Sequence, residues 1–106
     1  MEAQERYEEL VDDLCARHDD VQPSQMMGMP CVKRSGTMVA GFTRGEGAMV
    51  FKLPDPDAHG EALALEGAHL FDPSGQGRPF KEWVVVPVAH AERWEELAAH
   101  ALRPAG

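Results

Sequence analysis

The chain is poor in the residues that usually announce chemistry. Only two of its 106 residues are cysteines, Cys15 and Cys31, and no CxxC or other metal-ligand spacing joins them. Their expected state is a pair of free thiols in a reducing compartment. No apolar run approaches the roughly 20 residues of a membrane span. The acidic start is the opposite of the basic start of a signal peptide, so the cytoplasm is the expected location and no membrane contact is expected. Cations are scarce too: 10 Lys and Arg stand against 18 Asp and Glu, a formal charge of -8. That balance disfavours non-specific binding to nucleic acid or to an anionic membrane surface.

Catalytic patterns are equally thin. Ser24, Ser35 and Ser74 lie in turn-like stretches, none of them in a Gly-x-Ser-x-Gly elbow. Cys31 follows Pro30, with no histidine marked as its base. Cys15 and His18 sit three residues apart on a helix. A metal site would need further ligands from His69, His90, His100 or Cys31, brought together only by folding. Gly45-Glu46-Gly47 and Gly75-Gln76-Gly77 lack the Lys-Ser/Thr or strand-to-helix context of a phosphate cradle. No catalytic residue, metal or cofactor is expected.

What is present is a pattern of helices and strands. Residues 26–53 hold three apolar-rich runs divided by Ser35-Gly36 and by Arg44-Gly45-Glu46-Gly47, which predicts a three-strand meander. Gly28 within the first run suggests a bulge, and Pro30 suggests an edge strand or a kink. That edge, near residues 28–32, could pair with another chain. Before the meander, Tyr7, Leu10, Val11, Leu14 and Cys15 recur at helical spacing and predict a helix over 3–18. After it, Asp55 and Pro56 read as the N-cap and first residue of a short helix reaching about Glu66. His69-Leu70-Phe71 reads as a short strand, and Trp83 to Val88 as an inner one. Trp94, Leu97, Ala98, Ala101 and Leu102 mark a last helix over about 90–102. Met26, Met27, Met29, Met38 and Met49 gather in the meander, as gap-filling core or as an adaptable binding surface. The order α-β-β-β-α-β-β-α makes an α+β domain of two layers, an antiparallel sheet with helices on one face. The length leaves room for one domain over residues 1–106.

Several of these landmarks resemble the TfoX N-terminal domain family, and more distantly the YjbR-like proteins. Met27-Gly28 is similar to the family's Met-Phe-Gly run, and Gly36-Thr37-Met38 to its Gly-x-Met turn. Met49-Val50-Phe51-Lys52 resembles its apolar strand ending in a basic residue. Residues 77–84, Gly-Arg-Pro-Phe-Lys-Glu-Trp-Val, resemble a Gly-Arg-Pro-Met-x-Gly-Trp run. The chain departs from the pattern at Met27 and at Glu82. The resemblance covers residues 26–103 and implies a fold like that of the type III secretion chaperones. It implies no reaction, and the namesakes of the family are regulators of natural competence.

The charge is unevenly placed. Residues 1–20 hold eight acids against Arg6 and Arg17, whereas residues 21–54 hold Lys33, Arg34, Arg44 and Lys52 against Glu46 alone. With Arg78 and Lys81, the cations Lys33, Arg34 and Arg44 are the candidate contact residues for an acidic partner or nucleic acid, where Trp83 and Phe80 could stack on a base. The leading expectation is a non-catalytic interaction module with a protein partner or a second copy of itself. A DNA-associated regulator using the basic turns is the less favoured alternative.

Overall fold

The computed structural model describes residues 2–26, 28–72, 77 and 80–102. Helix α1 (Ala3–Arg17) leads into four strands, β1 (Val21–Met26), β2 (Met29–Arg34), β3 (Thr37–Thr43) and β4 (Ala48–Lys52). Helix α2 (Pro56–Leu63) follows, then β5 (His69–Phe71), β6 (Phe80–Pro87), a 3-10 segment (Val88–Arg93) and helix α3 (Trp94–Leu102). All strand pairs are antiparallel, in the spatial order β1-β2-β3-β4-β6-β5. The protein is an α+β fold. It differs from the expected order in having one more strand, β1, so the meander has four strands and not three. No described helix is long and apolar enough to cross a membrane.

The helices cover one face of the sheet, termed here the near face. Tyr7, Val11 and Leu14 of α1, Ala58 and Ala62 of α2, and Trp94, Leu97 and Ala98 of α3 are all buried. They meet Val32, Ala40, Phe42, Met49, Phe51, Val84 and Val86 from alternate positions of the inner strands. Each large side chain buried this way contributes roughly 1.5–3 kcal/mol. The Tyr7 and Phe42 rings lie 5.3 Å apart between centroids, and burial pushes the Tyr7 phenol above its ordinary range of titration. Trp94, 2% exposed, donates its indole N–H to the Val86 carbonyl at 3.2 Å, which fixes the start of α3 on the inner strand.

Two local features shape the meander. Arg34 pairs with Thr37 across a two-residue loop in which Ser35 has φ +51° and Gly36 φ +84°. That doubly left-handed loop matches the twist of a hairpin. Between Val32 and Lys33 the β2–β3 register shifts, because Val32 faces Ala40 while Lys33 faces Met38. Val39 is the extra residue of this bulge, so Val39 and Ala40, though consecutive, both join the near-face core.

The edge of the sheet is not where the sequence pattern placed it. Gly28 (φ +81°) sits in the turn between Met26 and Met29, which pair with each other, and β2 is flanked on both sides. The exposed edge is β1. Its polar Gln22, Ser24 and Gln25 and its Pro23 hide it from an apolar pattern. The Asp20 carbonyl accepts from the Ser35 N–H at 2.9 Å, so residues 22, 24 and 26 turn their main-chain groups towards β2 and residues 21, 23 and 25 turn theirs outward. Of the three outward positions, the Val21 N–H is engaged by the His18 carbonyl at 3.2 Å and Pro23 has no N–H. Only Gln25 retains an outward donor, which leaves little for an added strand to pair with. The opposite edge, β5, has three residues.

Candidate functional site

Among the described residues no helix packs on the far face of the sheet. Its inner positions are nonetheless buried: Cys31, Ala48, Val50 and Val85 are at most 1% exposed. Long side chains from neighbouring strands roof them over. Met29 and Trp83 pack on the cluster of Ala48, Val50, Phe71 and Val85. Gly41 makes room for part of this roof, since a Cβ there would lie 2.8 Å from Met29 Cε and 3.1 Å from Met38 Cε. Phe80 is 47% exposed and meets the Phe71 ring edge-on at 6.0 Å.

One end of this face carries the cations. Gln22 pairs with Lys33, Lys33 with Met38, and Lys52 with Trp83. Ala40 pairs with Phe51 next to them, which sets Lys52 beside the Met38 end of β3. A band therefore crosses the strands from Gln22 through Lys33, Met38 and Lys52 to Trp83. With strands about 4.8 Å apart, Lys33 and Lys52 are about 10 Å from each other across β3. At the β1 end the band runs into a depression of about 400 Å3 lined by Gln22, Ser24, Lys33 and Gly36, among others. No ion pair among the described residues involves Lys33, Lys52 or Lys81.

The two layers are opposite in charge. The helices and the 3-10 segment carry Glu5, Glu8, Glu9, Asp12, Asp13, Asp57, Glu61, Glu92, Glu95 and Glu96 against Arg6, Arg17 and Arg93. The strands carry Lys33, Arg34, Lys52 and Lys81 against Glu82 alone.

The five cations singled out from the sequence do not form one group. Lys33 belongs to the far-face band, whereas Lys81 is exposed in the stretch of β6 where the register against β5 breaks. Arg34, the next residue after Lys33, points to the other face, where its guanidinium donates to Asp20 Oδ2 at 2.8 Å and to the Leu102 carbonyl. It closes the open end of α3 on β2. Arg44 is exposed in the β3–β4 turn, at the opposite end of β3 from the Ser35-Gly36 loop, because successive hairpins of a meander alternate ends. Arg78 lies outside the described residues, as do Met27, Ser74, Gly75, Gln76 and Pro79. Lys52 was not among the five. Its signal was the alternation Ala48, Val50, Lys52, which carries an apolar strand out into a cation on one face.

The nucleophile and metal candidates are separated by the fold. Cys31 is fully buried, and burial pushes its thiol up, against the opposing pull of Lys33 and the Ser24 hydroxyl. A thiol so placed lacks the exposure and the low pKa of a reactive cysteine. His59 Nε2 lies 2.7 Å from the Lys81 carbonyl, His90 Nε2 2.9 Å from the Glu66 carbonyl, and His69 Nε2 3.0 Å from Glu46 Oε1. Among the described residues no three of His, Cys, Asp and Glu converge as metal ligands. The expected methionine cluster divides between the layers: Met49 is fully buried in the near-face core, while Met29 and Met38 roof the far face.

No protein-family model matches the chain, and neither the curated proteins nor the solved structures contain a significant match to it.

Proposed function

We propose that this protein is a small non-catalytic interaction module of the TfoX N-terminal type, working in the cytoplasm through protein contacts on the far face of its sheet. The observation that carries the reading is the far-face band. Two cations, Lys33 and Lys52, with no ion-pair partner among the described residues, and an apolar roof of Met29, Met38 and Trp83 share a surface on which no described helix packs. A monomer that needed only solubility would have little reason to set lysines around half-buried methionines. The TfoX assignment rests on motif placement: Gly36-Thr37-Met38 opens β3, and Met49-Val50-Phe51-Lys52 is β4. The free thiols of Cys15 and Cys31 agree with a reducing compartment. Contact by strand addition, at residues 28–32 or elsewhere, has no support, since β2 is internal and β1 offers one outward donor. The DNA-regulator alternative loses its basis in the basic turns, because Arg34 is engaged on the near face and Arg44 stands apart.

The test is affinity capture from lysate with the wild type, with Lys33→Glu/Lys52→Glu, and with the helix-layer variant Arg6→Glu. A partner retained by the wild type and by Arg6→Glu, but lost by the far-face variant, supports the reading. A partner profile indifferent to the far face, or no specific partner at all, overturns it.

A further inference from the structure

The far face can be assigned a partner chemistry from its own composition, an inference that rests on the reading just given. We propose that the band binds an acidic peptide segment bearing apolar side chains, laid across the strands with carboxylates on Lys33 and Lys52 and apolar groups on Met38 and Trp83.

Three observations narrow the occupant to this class. The first is charge. The cations of the band stand on a sheet whose only strand acid is Glu82, and the acidic helical layer lies on the other side. An acidic ligand is repelled by the helices and drawn to the far face, so the field orients the encounter before contact. The second is the mixture of lysine and methionine. Met29 and Met38 are unbranched, with their methyl ends meeting over Gly41, and such side chains re-pack around apolar groups of varied shape. The third is the main chain. With Gln25 left as the one outward donor of β1 and only three residues in β5, a peptide gains little by extending the sheet and is held mainly by its side chains. The separation of about 10 Å between Lys33 and Lys52 fits carboxylates three residues apart in a polyproline-like segment, where every third side chain shares a face, or two turns apart in a helix.

Single-stranded nucleic acid is the weaker fit. The molecule carries a net charge of -8, and among the described residues no arginine belongs to the band. Trp83 is half-buried against Val50 and Val85, so its ring does not stand free as a stacking platform. A second copy is weaker too, since two far faces would set lysine against lysine.

The experiment is fluorescence anisotropy of four labelled probes against the full chain. These are an Asp-Leu-Gly repeat of 15 residues, whose carboxylates recur every third residue, an all-glutamate 15-mer, the Lys-for-acid version of the repeat, and a 15-nucleotide oligothymidylate. The acidic-apolar repeat is expected to bind about tenfold more tightly than the all-glutamate probe, and the basic peptide not to bind. Lys33→Glu and Lys52→Glu, at half-buried positions, are each expected to weaken it about fivefold, and Met38→Asp comparably, with circular dichroism confirming that each variant is folded. Arg6→Glu is expected to leave it unchanged. Tighter binding of the oligothymidylate, no binding of the repeat, or equal binding by all variants overturns the proposal. Dimerisation of the wild type in sedimentation that Lys52→Glu abolishes also overturns it, by making a second copy the occupant. If the captured partner of the previous section depends on Lys33 and Lys52 while the repeat fails to bind, the acidic-segment proposal fails and the far-face reading stands. If nothing captured depends on them, that reading fails first.

Discussion

Arg34 and Asp20 are joined by a 2.8 Å hydrogen bond between Nε and Oδ2, and the same guanidinium donates to the last carbonyl of α3, at Leu102. One side chain thus connects the start of β1, the end of β2 and the end of the final helix. Arg34→Ala is expected to lower stability by about 1–2 kcal/mol, most of it from the lost hydrogen bond to the helix carbonyl. Arg34→Lys, which cannot fork to two acceptors, is expected to fall between. Urea unfolding followed by circular dichroism measures both.

The same contact predicts a pH dependence. The Arg34 hydrogen bond holds the Asp20 carboxyl below its ordinary value of 3.8. A carboxylate depressed on folding stabilises the native state above its unfolded pKa and ceases to do so as pH falls through the folded value. The stability gap between wild type and Arg34→Ala is therefore expected to narrow below about pH 4. Because Asp20 is exposed, the gap is also expected to shrink in 1 M salt, where the Debye length is about 3 Å.

Gly41 is the point of closest approach on the far face. Gly41→Ala would press on Met29 Cε, Met38 Cε and the Pro30 carbonyl, and is expected to destabilise by about 1–3 kcal/mol. The methyl ends can move and the carbonyl cannot. Combining Gly41→Ala with Met29→Ala is therefore expected to cost less than the sum of the two single changes, which a double-mutant cycle in urea would read.

The two thiols are expected to differ in kinetics. Cys15 is half-buried and Cys31 fully buried with a raised pKa. Titration of the native protein with a disulfide reagent at pH 7.5 should modify Cys15 first. Cys31 should follow only at the rate of local opening, and both should react at once in denaturant.

The hairpin loop gives a fifth test. Gly36→Ala forces a side chain into the left-handed region and is expected to cost about 1–2 kcal/mol. Ser35→Asn places there a residue that tolerates φ of +51° better, and is expected to raise the urea midpoint.

Much of this architecture was legible. The stripes of Tyr7, Val11 and Leu14 and of Trp94, Leu97 and Ala101 mark helices because burial on one side imposes a 3.6-residue period. Val84, Val85 and Val86 mark an inner strand because both faces of β6 are covered. Strand β1 was not legible: an edge strand bears little apolar demand, and Pro23 is tolerated where its missing N–H would have pointed outward. The charge separation was visible in the contrast between residues 1–20 and 21–54. The band was not, because it depends on the registers of Lys33 with Met38 and of Lys52 with Trp83, which hydropathy does not encode. Arg34 looked like a turn cation beside Ser35-Gly36, yet alternation along β2 sends it to the opposite face from Lys33.

The closed edge at β1 bears on how a partner would be chosen. Strand addition is held largely by main-chain bonds that every sequence can offer, so it tolerates wide variation in the added segment. With Pro23 in place and Val21 already bonded, that permissive mode has little to hold at β1, and a partner is read mainly through its side chains. Selectivity then depends on a few positions on each side, and each exchange of charge in the partner weakens the association.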